Sequence, residues 1–188
     1  IGALYTAGDV VGLSAIDFVY SGTASDLAGI VAKTTGNISG ALSDSTTALI
    51  LASLPTNKVL SVTATINQAS VNATDLLAVT ARTNGLITMH SNVVNIAGTA
   101  ADVETVFNAS AAGTSITGLA KTESVSLSGG TSVAKLNTIS GITTGTVSAT
   151  VTDSIDSLMG ITETTNTLTL IVNDTVVDAA KLIAVSYT

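Results

Sequence analysis

The chain has 188 residues, with 6 Lys or Arg against 13 Asp or Glu (formal net charge −7), and is 46% hydrophobic but only 3% aromatic and 10% charged. Ordinary globular domains are about 25% charged, and the apolar residues here are mostly Ala, Val, Leu and Ile, which fill thin, uniform layers better than one large irregular core. The acidic balance argues against nucleic acid as a partner, the lack of Cys excludes disulfides and thiolate metal sites, and aliphatic stretches such as Ala48 to Ala52 fall far short of the ~20 residues of a membrane span.

The chain opens on Ile1 with no signal-peptide pattern and reads as a processed or excised piece of something longer. Residues 1–17 read as an N-terminal lead-in or edge coil, and 18–188 as a repeat domain. The first strand is expected at Asp17 to Tyr20. A helix then starts at Thr23-Ala-Ser-Asp26 and carries an apolar stripe of Leu27, Ile30 and Val31.

That opening phrase recurs at Asn72-Ala-Thr-Asp75, Thr99-Ala-Ala-Asp102, Asp153-Ser-Ile-Asp156 and Thr175-Val-Val-Asp178. A Thr, Asn or Asp at the N-cap accepts a bond from a first-turn amide, and an acid three residues on suits the positive end of the helix dipole. The third copy leads into Val103, Val106 and Phe107, and the fourth into Ile155, Leu158 and Met159. Units starting near Ser45 and Thr131 lack the Asp, so their helices have weaker support.

Between these helices lie β-branched stretches expected as strands: Val59 to Ile66, Asn92 to Ile96, Ser124 to Leu127, Thr146 to Thr152 and Thr167 to Val172. Turn residues Gly36, Asn57, Gly85, Gly113, Gly145 and Asn166 are spaced 21, 28, 28, 32 and 21 apart, inside the range of stacked repeats. The expected architecture is an α/β repeat solenoid, with parallel strands and short helices stacked in about seven coils. An all-β parallel β-helix is the alternative, reached if the Thr/Ser-rich segments carry no helix.

The phrases Asn95-Ile-Ala-Gly-Thr-Ala-Ala-Asp102 and Ile116-Thr-Gly-Leu-Ala-Lys-Thr-Glu-Ser-Val-Ser-Leu-Ser-Gly-Gly130 carry a resemblance. They resemble the degenerate Gly-Thr-Ala-Ala-Asp type repeats of very long bacterial and cyanobacterial cell-surface or secreted proteins, over roughly Phe18 to Val185. The resemblance implies surface placement and structural or adhesive work, and no catalytic residues.

Candidate chemistry is sparse. His90, in Ile87-Thr-Met-His-Ser91 at the end of an expected strand, is the single histidine, and with no second His and no Cys it reads as a solvated or hydrogen-bonded turn residue rather than a metal ligand or acid–base group. Gly129-Gly130 could cradle an anion ahead of a helix but lacks the Lys of a phosphate loop, so a corner is expected there. The sharper hypothesis is calcium: Asp44, Asp153 and Asp174 end strand-like stretches, and stacked carboxylates from adjacent coils could hold a hard cation. Caps and turns explain the same positions without metal, and no other cofactor is assigned.

Lys33, Lys58, Arg82, Lys121, Lys135 and Lys181 are scattered singly and read as solvated faces. Tyr5, Tyr20 and Tyr187 form no stacking platform. The segment Val172 to Thr188 shows no charged amphipathic cap, so either further repeats follow it or copies meet end to end.

The function expected is a non-catalytic structural repeat protein of the bacterial cell surface or extracellular space, self-associating as a filament, layer or adhesin stalk. A virion fibre or appendage subunit that binds a host surface is the alternative. Its partners are expected to be copies of itself or neighbouring repeats of a longer chain, with cell-surface glycan or a host receptor as further ligands.

Overall fold

The computed structural model describes residues 14–162 and 164–186. Tyr5, Tyr187 and most of the expected lead-in at 1–17 lie outside the described residues. The chain is α/β, with two parallel sheets and seven helices among the described residues.

The first sheet contains β1 (Phe18–Gly22), β2 (Ile38–Leu42), β3 (Ser61–Ile66), β5 (Ile87–Met89) and β7 (Ile116–Thr117), in that order. The second runs β4 (Ser70–Asn72), β6 (Asn95–Gly98), β8 (Ser124–Thr131), β9 (Val147–Asp153) and β10 (Thr167–Val172). The helices are α1 (Ala24–Val31), α2 (Thr47–Ser53), α3 (Ala73–Thr80), α4 (Ala100–Ala112), α5 (Val133–Ile142), α6 (Ile155–Leu158) and α7 (Ala179–Ser186). Seven helices exclude the all-strand alternative. No helix among the described residues is long and apolar enough to cross a membrane.

Every strand pairing is parallel. Partners lie between 19 and 29 positions apart, as at Thr167↔Ser148 (167 − 148) and Ile87↔Ile116 (116 − 87). A strand followed by a helix and a turn forms one unit, and the next unit lays its strand beside the last. In β3 the first half pairs with β2 and the second half with β5. The middle units contribute one strand to each sheet, β3 with β4, β5 with β6 and β7 with β8.

Alternation sets the faces. Val62, Ala64 and Ile66 of β3 are buried while Thr63 and Thr65 are exposed, and Val147, Ala149 and Val151 of β9 repeat the pattern. The helices add Leu27, Leu76, Val79, Val103, Val106, Phe107, Leu136, Ile139 and Leu158 to the same apolar core. Each fully buried aliphatic side chain contributes roughly 1.5–3 kcal/mol, which helices this short need because isolated they would be marginal. Met159, placed on the α6 stripe by spacing, is instead 49% exposed just past the helix end.

Three of the five expected caps form as written. Thr23 and Asn72 accept the N–H groups of Asp26 and Asp75 at 3.1 Å, and Thr99 accepts that of Asp102 at 3.2 Å. In the Asp153 phrase the cap falls one residue later, on Ser154, which accepts the Ser157 N–H at 3.2 Å. The last phrase also shifts: α7 starts after Asp178, whose carboxylate accepts the Ala180 N–H at 2.7 Å. The two units lacking Asp form helices regardless, capped by Thr46 and Ser132. One cap acceptor suffices when the apolar stripe has a neighbour.

Candidate functional site

The three calcium candidates share one geometry. Asp174 accepts the Ile155 N–H at 2.6 Å, Asp153 accepts the Val133 N–H at 3.2 Å, and Asp44 accepts the Ala24 N–H. Each acceptor lies 19 or 20 residues after its donor, and each donor is the first residue of a helix in the preceding unit.

The first amides of a helix have no partner within it. In α1, α5 and α6, a cap inside the unit takes the third one, on Asp26, Lys135 and Ser157, while the next unit's Asp takes the first. Asp153 accepts the Ser154 N–H as well, at 2.9 Å. The Ser154 amide foremost, and the Val133 amide after it, hold the Asp153 carboxyl below its ordinary range. Among the described residues no three His, Cys, Asp or Glu side chains come together.

A second fastening escaped the sequence reading because it looks like an ordinary turn. In Thr34-Thr35-Gly36, Thr83-Asn84-Gly85 and Thr143-Thr144-Gly145 the first Thr is buried. Its hydroxyl donates to a carbonyl of the unit before, namely Ile16 at 2.9 Å, Val62 at 2.6 Å and Glu123 at 2.7 Å. The same oxygen accepts the glycine N–H at 2.9, 3.0 and 2.9 Å.

The glycine is required for closeness. A Cβ at Gly36, Gly85 or Gly145 would overlap the carbonyl oxygen of Ile16, Val62 or Glu123. The shared spelling Thr-x-Gly was the available signal.

Four cations also join units, a departure from the solvated faces expected. Lys58 donates to the Thr34 carbonyl at 3.2 Å and to that of Gly36, in a unit whose turn lacks Thr-x-Gly. Arg82 donates to the Leu51 and Leu54 carbonyls at 2.6 and 3.1 Å, satisfying the end of α2 where helix carbonyls run out of partners. Lys135 and Lys181 pair with Glu104 and Asp156 at 2.5 Å.

His90 is exposed, and its Nδ1 accepts the Asn92 N–H at 3.1 Å, fixing the turn between β5 and β6. Gly129 and Gly130 lie inside β8, where the register with β9 breaks between Ser126 and Gly130 and Gly129 takes a φ of 75°. They form a bulge in the strand.

One further group was not singled out from sequence. Glu123 is buried, its Oε1 accepts the Ala120 N–H at 2.7 Å, and its Oε2 is enclosed with no hydrogen-bond partner among the described residues. It lines a depression of about 540 Å³ with Met89, Ser91, Val93 and Gly118. In Lys121-Thr122-Glu123 it reads as surface.

Asp44, Asp153, Asp174, Lys58, Arg82 and the three buried threonines all join one unit to its neighbour. No family model, curated protein or solved structure matches this chain.

Proposed function

We propose that the chain is a non-catalytic structural repeat segment. In this reading its units wind as a solenoid of about seven coils, working at a bacterial cell surface or in the extracellular space by self-association. The observation that carries it is the use made of the polar side chains. Asp44, Asp153 and Asp174 hold amides across units, and Thr34, Thr83 and Thr143 hold carbonyls. Three carboxylates and three buried hydroxyls committed to contacts between units suit extension rather than turnover.

The surface that supports self-association is the last unit. Leu170 stands beside Val151, which is fully buried, yet Leu170 is 37% exposed, and among the described residues β10 is the outer strand of its sheet. Ile171, Leu182 and Ile183 are also exposed there. An uncharged strand edge without Pro is a template for another chain.

Sedimentation velocity across a concentration series, with negative-stain electron microscopy of the same samples, tests the reading. Concentration-dependent growth into end-to-end pairs, threads or sheets is expected. Monomers at every concentration and salt condition overturn it.

A further inference from the structure

We infer that Asn84 is a deamidation site held shut by the Thr83 hydroxyl. Asn84-Gly85 is the one Asn-Gly pair in the chain. In the matching position the other two Thr-x-Gly turns carry Thr35 and Thr144, which have no side-chain amide to lose. Asn84 is exposed, so water reaches it freely.

The chemistry needs only that water. Solvent base removes the Gly85 amide proton, and the nitrogen attacks Asn84 Cγ. As the new C–N bond forms, the Cγ–Nδ2 bond breaks, ammonia leaves, and a cyclic imide remains. Water then opens either imide carbonyl, leaving an aspartyl or isoaspartyl residue. Glycine favours the attack because no Cβ obstructs its nitrogen.

Three contacts oppose it in the folded chain. The Gly85 N–H donates to Thr83 Oγ1 at 3.0 Å, which keeps the nucleophile protonated and turned away. The Asn84 N–H donates to the Leu60 carbonyl at 2.7 Å. Gly85 itself sits so close to the Val62 carbonyl that a Cβ would overlap it, leaving little room for the backbone swing that ring closure demands. Thr83 is 3% exposed and bonded to Val62 at 2.6 Å, so its hydroxyl is fixed in place.

Opening of this turn therefore has a lasting consequence. The isoaspartyl product adds a methylene to the backbone and a negative charge where Gly85 lies tight against the Val62 carbonyl of the unit before, so the turn cannot close again in register.

Peptide mapping by mass spectrometry after incubation at mildly alkaline pH tests this on the full chain. Folded wild type should convert at least roughly tenfold more slowly at Asn84 than the same chain in urea. Thr83→Val, with its fold checked by circular dichroism, should convert about tenfold faster than folded wild type, the factor that one net hydrogen bond of protection supplies. Thr143→Val removes the equivalent bond from a distant turn and should leave Asn84 at the wild-type rate.

Equal rates in folded and unfolded wild type overturn the inference. So does acceleration in Thr143→Val matching that in Thr83→Val, which would make general opening the gate. If Thr83→Val does not fold, Thr83→Ser keeps the hydroxyl and should stay at the wild-type rate, and acceleration there also overturns it.

Discussion

Asp174 reaches back 19 residues to accept the backbone N–H of Ile155 at 2.6 Å, so the first residue of α6 is held by a side chain of the unit that follows it. Asp174→Ala removes that acceptor and should cost about 1 kcal/mol of unfolding free energy in urea. Asp174→Asn keeps a capping oxygen and should recover most of the loss.

Stability should decline in acid partly through Asp153. Its folded-state pKa lies below the ordinary 3.8, chiefly through the Ser154 N–H. The unfolded chain therefore binds the proton more readily than the folded one. The stabilisation from this carboxylate is complete above 3.8 and is lost as pH falls through the lower folded-state value. Urea midpoints across this range should fall less steeply in Asp153→Asn than in wild type.

Two glycine substitutions should have opposite signs. Gly145→Ala drives a Cβ into the Glu123 carbonyl and should destabilise by about 1–3 kcal/mol. Gly29→Ala, inside α1 with nothing within 4 Å of the added carbon, should stabilise by about 0.5–1 kcal/mol. Equal effects in thermal or urea melts would dissociate the Thr-x-Gly glycines from any close approach.

Chelator should leave the melting temperature of the purified chain unchanged. The carboxylates of Asp44, Asp153 and Asp174 already accept amide hydrogens, and stabilisation by a ligand requires binding to the folded state. A midpoint that drops with chelator and returns with added calcium would establish the metal reading.

Ile171→Lys should weaken self-association without lowering the melting temperature. Ile171 is 47% exposed on the β10 edge, and charge on an exposed edge discourages strand addition. Unchanged sedimentation would move the association surface elsewhere.

The helices were legible in the sequence wherever cap and stripe coincided, as at Thr99 with Val103, Val106 and Phe107. Strand β9 was legible from its alternation. Three strands were not: β2 has Gly40 at its centre, β4 has three residues and β7 only two, too few for a period to show. Pairing across units makes those strands.

The same cause hid the roles of the aspartates. Asp153 reads as the cap of its own helix, and nothing local reveals that Val133, 20 residues back, supplies a donor. Thr-x-Gly was visible but ambiguous, because a turn and a close approach between units select the same glycine.

The neighbour-to-neighbour pairing of strands carries a mechanical corollary. Tension applied across the paired strands places the ladders in series, each carrying the whole force, so they give way one at a time rather than together. With partners 19 to 29 positions apart (167 − 148 and 116 − 87), each rupture frees roughly 65–100 Å of chain before the next ladder gives way. The molecule would lengthen under pull in discrete increments, absorbing work as it extends rather than snapping at a single threshold.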